Sequence, residues 1–180
     1  METKTRTLIL SALLAFASYF IEPAAPGQVS VVRPTEQSIR EGMKHEQLEK
    51  QYKRAALAAG MVYRRNGCGQ GFAEETGRAA IHYGIPPPVL AAVVFVESSC
   101  NPNAVSHTGD IGLTQVHYKV WRQHTREEYF NPTVNLEMGA QILSTYVRTY
   151  GLREGLHAYN GLSCPTNEYA EKVLSKAGIN

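Results

Sequence analysis

Glu97 closes an unbroken apolar run, Val89-Leu90-Ala91-Ala92-Val93-Val94-Phe95-Val96, and is followed by Ser98, Ser99 and the polar turn Asn101-Pro102-Asn103. A run that is apolar on every side predicts a helix buried in the middle of a domain, delivering one carboxyl group at its negative C-terminal end. Desolvation and the local dipole both disfavour the carboxylate. Glu97 is therefore expected to keep its proton to higher pH than a free glutamate and to be capable of general acid chemistry. Most glutamates at helix ends only face water, so the residues around it must decide.

Those residues form a pattern. Glu97-Ser98-Ser99-Cys100-Asn101-Pro102-Asn103-Ala104-Val105-Ser106 leads to Thr108-Gly109-Asp110-Ile111-Gly112-Leu113-Thr114-Gln115-Val116. Asn135-Leu136 with Gly139-Ala140, then His157-Ala158-Tyr159-Asn160-Gly161, then Tyr169-Ala170-Glu171-Lys172-Val173-Leu174 follow. In this order, between about Ala73 and Leu174, the blocks resemble the lytic transglycosylases of the soluble, lysozyme-like (SLT-domain) type. The resemblance implies a mainly α, lysozyme-like helical domain with a small loop or hairpin beside the catalytic helix. It also implies cleavage of peptidoglycan glycan strands between N-acetylmuramic acid and N-acetylglucosamine. Glu97 would protonate the leaving oxygen and then act as base on the sugar's own C6 hydroxyl, giving 1,6-anhydro ends without water. By the same resemblance Ser106 hydrogen-bonds the acetamido group and Gln115 lies on the cleft floor. Tyr159 and Asn160 sit opposite the glutamate, the phenol orienting Glu97 and the amide holding sugar.

Each assignment has a structural counterpart: Ser106 closing a turn, Gly112 permitting a tight backbone, Tyr159 packing in the core with a satisfied hydroxyl, Ser98 capping backbone. Two stretches depart from the family pattern. Gly112-Leu113-Thr114-Gln115-Val116-His117 stands where many members read Gly-Leu-Met-Gln and then Met-Pro, which alters the aromatic or methionine contact to sugar. Leu162-Ser163-Cys164-Pro165 replaces the usual glycine-proline turn. Asp110 stands where many members carry alanine and is a possible second carboxylate. It either accepts hydrogen bonds in a glycine-flanked turn or, as in two-carboxylate lysozymes, activates water or attacks the sugar. The alternatives to a transglycosylase are thus a hydrolytic muramidase using Glu97 and Asp110, and an inactive wall-binding assembly component.

Other chemistries fit poorly. A Cys100 and His157 peptidase pair would place the thiol after a helix C-terminus, where a thiolate is disfavoured. The six histidines show no paired ligand spacing and no H-E-x-x-H, so neither metal nor other cofactor is expected. A G-x-S-x-G elbow is also absent.

The elements that must hold these residues follow from apolar spacing and from Gly and Pro. Thr35 is placed to cap a helix running to about Ala59, with Ile39, Met43, Tyr52 and Leu57 inward, charges outward and Gly42 weakening it. This reads as a solvated strut or linker, followed by a loop from Asn66 to Gly71. Phe72 to Tyr83 is an amphipathic helix ended by Gly84, and Pro86-Pro87-Pro88 turns the chain into the Glu97 helix, making a helical hairpin. Asn131-Pro132 opens another helix with Leu136, Gly139, Ala140, Leu143, Val147 and Tyr150 on one stripe, ended by Gly151; Gly139 and Ala140 let a neighbour pack close. Ser106 to Val116, with glycines at 109 and 112 and no helical period, suits a loop or small hairpin. The helical hairpin favours a Cys68 to Cys100 disulfide, with Cys100 to Cys164 as the rival.

Lys4 and Arg6 precede an apolar stretch from Leu8 to Ile21, short of the about twenty residues a bilayer span needs. The stretch reads as a secretory signal ending near Gly27, or as a short retained anchor. The expected organisation is residues 1–27 as leader, 28–70 as accessory helix and linker, and 71–180 as the lysozyme-like domain. A formal charge of +2 over 180 residues and scattered basic residues give no support for nucleic acid. The expected partners are peptidoglycan glycan strands; the setting is left open between wall turnover and a secretion, conjugation or phage entry assembly, with the small size leaning toward local wall clearing for such an assembly. A membrane enters only if the leader is retained. The expected location is exported, in the periplasm, with inner-membrane anchoring or association with a virion as the alternatives.

Overall fold

The computed structural model describes residues 34–69, 71–161 and 166–179. The expected leader and the stretch 162–165, with Cys164, lie outside the described residues. Two compact units divide at Lys50 and Gln51, and helix α1 (Glu36–Arg65) contributes to both.

In the first unit, Thr35 starts the helix as its sequence suggests. Its Oγ1 accepts from the Ser38 N–H at 3.2 Å and its carbonyl accepts from the Ser38 hydroxyl at 2.8 Å. Exposed i,i+4 pairs, Arg40 with Glu36 and Lys50 with Glu46, decorate the surface. Exposed, solvent-screened pairs of this kind add little to stability.

The second unit holds the rest of α1 and five further helices among the described residues: α2 (Ala73–Tyr83), α3 (Pro87–Ser98), α4 (Pro132–Tyr150), α5 (Leu152–Asn160) and α6 (Glu168–Ala177). The sheet described is the short antiparallel pair β1 (Asp110–Ile111) and β2 (Val116–His117), in register Asp110 to His117 and Ile111 to Val116. The mainly α expectation with a small hairpin after the Glu97 helix is met. No helix among the described residues is long and apolar enough to cross a membrane.

Helix α3 is central because nothing on it requires water before its last turn. Val89 through Val94 are all 0% exposed. Pro87 at its first turn has no N–H to leave unsatisfied, and Gly84, at φ 71°, lets α2 end with its backbone N–H on Ile81 and the next on Ala80. Helix α4 starts where Asn131 accepts from the Thr133 and Val134 N–H groups, with Pro132 next. Its buried face includes Leu136, Gly139, Ala140 and Leu143 as expected, whereas Tyr150 is 49% exposed.

Helix α1 departs from its sequence reading. It runs on to Arg65, and Met43 and Leu57, expected inward, are 39% and 68% exposed. The buried stripe is Ala55, Ala59, Gly60, Val62 and Tyr63, so the compact unit begins at Gln51 rather than near residue 71. The cause is backbone proximity: a Cβ on Gly77 of α2 would lie 2.6 Å from the Ala56 nitrogen. At that turn the approach admits only small side chains, while Val62 and Tyr63, beyond it, fill the core.

Cys68 and Cys100 are joined, with Cα atoms 6.0 Å apart. The bond ties the end of α1 to the turn after Glu97 and takes up the cysteine that the rival pairing requires. A closed loop of 32 residues stabilises the fold by about 3 to 4 kcal/mol in the chain-entropy account. Cys68→Ser with Cys100→Ser is expected to lower the urea unfolding free energy by that amount under oxidising conditions. An unchanged midpoint and slope would reject the assignment.

Candidate active site

The end of α3 is shaped to present Glu97. Ser99 and Cys100 adopt left-handed backbone at φ 52° and 65°, ending the helix at once. Ser98 turns inward: its hydroxyl contacts the Val94 carbonyl at 2.9 Å and the Leu113 carbonyl at 2.8 Å, fastening the helix end to the turn between β1 and β2. Partly buried Glu97 is left facing a cleft of about 390 Å³, lined also by Ser106, Asp110, Gln115, His117, Trp121, Ile142, Tyr146, Tyr159 and Asn160.

Burial pushes the Glu97 carboxyl up to about 7. The hydrogen bond from Tyr169 and the charge of Lys172 pull it down, and the negative charge of Asp110 adds to the rise. The phenol that touches Glu97 is Tyr169 of α6, donating to Oε1 at 2.5 Å. Tyr159, expected in that place, donates instead to the Thr114 carbonyl at 2.8 Å. Its ring lines the cleft while its hydroxyl holds the loop. Burial raises both phenols well above their ordinary range, so both remain donors.

The turn carrying Gln115 is held at several points. Gly112, at φ +79°, has no room for a side chain, since a Cβ would meet Asn135 Nδ2 at 2.3 Å. Asn135 is 1% exposed. Its oxygen accepts from the Thr114 N–H and hydroxyl, both at 2.8 Å, and its amide donates to the carbonyls of Ile111 at 2.8 Å and Tyr129 at 3.0 Å. Gly139 lets Thr114 sit against α4, where a Cβ would come within 2.3 Å of its Oγ1. Gln115, at φ 51°, donates to Gly112 O at 2.9 Å and Ala104 O at 3.4 Å. Its position on the cleft is thus set by the loop it belongs to.

Ser106 and Asp110 form one cluster. The Ser106 hydroxyl lies 2.7 Å from Asp110 Oδ2 and accepts the Asp110 N–H at 2.9 Å; Thr108 donates to the same Oδ2 at 2.5 Å. His117 Nδ1 lies 3.0 Å from Asp110 Oδ1. Burial alone would raise Asp110, but the contacts from Thr108, Ser106 and His117 outweigh it and hold the carboxyl below its ordinary value. One carboxyl in the cleft therefore holds its proton up to about pH 7, while the other is ionised.

All six residues singled out from the sequence, Glu97, Ser106, Asp110, Gln115, Tyr159 and Asn160, reach one cleft. The sequence reading gave no role to Tyr169, His117, Trp121 or Tyr146. Tyr169 lay in a quoted block, and its place in that block was the available signal. Among the described residues no group of His, Cys, Asp and Glu gathers in a metal-binding arrangement.

Residues 75–179 match the family described as the transglycosylase SLT domain. The transglycosylase of Enterobacteria phage PRD1 is 30% identical over 113 residues, covering 59% of this chain and 43% of that protein. The endo-type membrane-bound lytic murein transglycosylase A of Salmonella paratyphi B is 36% identical over 78 residues, covering 37% of this chain and 38% of that protein. The chain thus spans less than half the length of these curated relatives.

Proposed function

Because this chain belongs to the transglycosylase SLT family, we propose that it cleaves murein glycan strands between N-acetylmuramic acid and N-acetylglucosamine by intramolecular transglycosylation. The observation that carries the reading is Glu97, its carboxyl pushed up to about 7 by burial and facing the cleft. The proton of Glu97 goes to the glycosidic oxygen as the bond to the anomeric carbon breaks. The resulting carboxylate takes the proton of the muramic C6 hydroxyl, whose oxygen bonds to the anomeric carbon and closes a 1,6-anhydro ring. No water is consumed. Ser106 and Asn160 are assigned to hold the acetamido and hydroxyl groups, Gln115 to the cleft floor, Tyr159 to the turn and wall, and Tyr169 to orienting Glu97.

A hydrolytic muramidase is the second reading, and Asp110 is the observation that favours it. An ionised carboxyl in the same cleft is what water activation or nucleophilic attack requires. Against it, Ser106 and Thr108 already hydrogen-bond one carboxylate oxygen, and His117 Nδ1 crowds the other at 3.0 Å. The bonds fit a residue that shapes the Ser106 loop. The expected result is that muropeptides analysed by mass spectrometry carry mainly 1,6-anhydro ends, and that Asp110→Ala reduces turnover less than Glu97→Gln does. Mainly reducing ends, lost in Asp110→Ala, would make the protein a muramidase.

A substrate outside the cytoplasm fits export to the periplasm, with a membrane-anchored or virion-borne form as the other arrangements. Relatives named as a phage transglycosylase and as a membrane-bound murein enzyme support a role in opening the wall, for turnover or for a larger assembly that crosses it. The inactive, wall-binding reading is opposed by the presence of Glu97, Gln115 and Tyr159 together at one cleft.

A further inference from the structure

Trp121 is the one tryptophan of the chain. Neither the acid chemistry nor the loop clamp uses it. Partly buried, it packs against an apolar cluster containing Ile111, Tyr129 and Ile142 and also lines the cleft that Glu97 faces. Its backbone is held from two directions. The Trp121 N–H donates to the His117 carbonyl at 3.0 Å, one residue past the partner of Ile111 in the hairpin, and the hydroxyl of fully buried Tyr129 donates to the Trp121 carbonyl at 2.6 Å. The indole is therefore carried on a hydrogen-bonded turn seated on the core.

The cleft has two kinds of wall. Trp121 shares its lining with Ile142 and Tyr146, one turn apart on α4, while Ser106, Asp110 and Gln115 supply polar groups. A pyranose ring has the matching division, with an apolar C–H face and a rim of hydroxyl and acetamido groups. Indole offers a large, rigid apolar area with little side-chain entropy to lose, and an aromatic beside a few placed polar groups is how ligand sites obtain both affinity and orientation. Unlike its neighbour Tyr129, which is 0% exposed, Trp121 keeps part of its surface open on the side of the cleft.

We propose that Trp121 is a sugar platform of this cleft, against which the apolar face of one N-acetylated pyranose of a β-linked amino-sugar strand rests. The proposal builds on the transglycosylase reading and adds the residue that secures the strand. Its role is in binding, so its loss falls on KM.

The single tryptophan makes the test direct. Titrating Glu97→Gln protein with soluble β-1,4-linked N-acetylglucosamine hexamer is expected to give a saturable change in tryptophan emission, which the isolated peptide stem does not produce. Trp121→Ala is expected to raise KM for solubilised glycan strands by roughly 10- to 100-fold, as for truncation of an aromatic anchor, with kcat changed less than about threefold. Trp121→Phe restores most of the affinity, and circular dichroism checks the fold of both. Emission unmoved by the hexamer, a Trp121→Ala KM equal to wild type, or a loss confined to kcat would each overturn the platform. Wild-type protein that releases no murein fragments would refute the transglycosylase reading, while the emission titration still decides the platform.

Discussion

Glu97→Gln is expected to reduce murein cleavage by at least about 100-fold, the usual contribution of a general acid, and to make the folded protein more stable at neutral pH. Both effects come from one feature. The carboxyl is raised from 4.5 to about 7, chiefly by burial, so between those values the native state keeps a proton that the unfolded chain has released. Stability therefore falls as pH rises through that window, by up to about 3 kcal/mol once the upper value is passed. Glutamine has no such proton, yet retains an oxygen able to accept from Tyr169. Wild type and variant are expected to match in unfolding free energy near pH 4 and to diverge above it, with the variant the more stable at pH 8. Wild-type turnover falls as pH rises through about 7, because the acid form is lost. Sacculus turbidity and urea unfolding across this range measure both. A folded variant with near-normal activity ends the catalytic assignment, and a variant less stable at pH 8 ends the burial argument.

What could be read in advance depended on whether the cause was local. The Glu97 helix was legible because an all-apolar run bounded by prolines and a polar turn has few other ways to fold, and the acid at its end inherits the burial. The Cys68 to Cys100 bond followed from the hairpin that this helix completes. The inward face of α1 was not legible, because its sequence offers two stripes and the larger residues, Met43 and Leu57, lie on the wrong one. The choice was made by Gly77 on another helix, whose bare Cα admits the α1 backbone. Tyr169 was hidden for a similar reason: its contact with Glu97 spans 72 positions, and no pattern of spacing states which of two nearby phenols will reach a carboxyl. Tyr159 was assigned that contact, but its hydroxyl is occupied by the Thr114 carbonyl. Asn135 was noted only as part of a block, since a buried amide is recognised by the groups it satisfies.

Those groups make Asn135 the strongest remaining structural test. With 1% exposure, it offers an acceptor to Thr114 and two donors to the carbonyls of Ile111 and Tyr129. It therefore binds the hairpin turn and the short 3-10 turn Glu128–Phe130 to α4 through a single side chain. Asn135→Leu leaves a buried N–H and two buried carbonyls without the partner Asn135 supplies, each costing about 1 to 3 kcal/mol, so a total loss of at least about 3 kcal/mol is expected. Asn135→Asp is the sharper variant. It preserves the shape and the acceptor for Thr114, but replaces the donating amide with oxygen facing two carbonyl oxygens, and so is expected to lose as much stability as leucine does or more. Both variants should release the turn that carries Gln115, lowering cleavage of murein through geometry while Glu97 remains intact. Urea unfolding beside a muropeptide assay gives the answer. An Asn135→Asp protein as stable and active as wild type would mean that the two carbonyls do not depend on this amide, and the clamp would have to be abandoned.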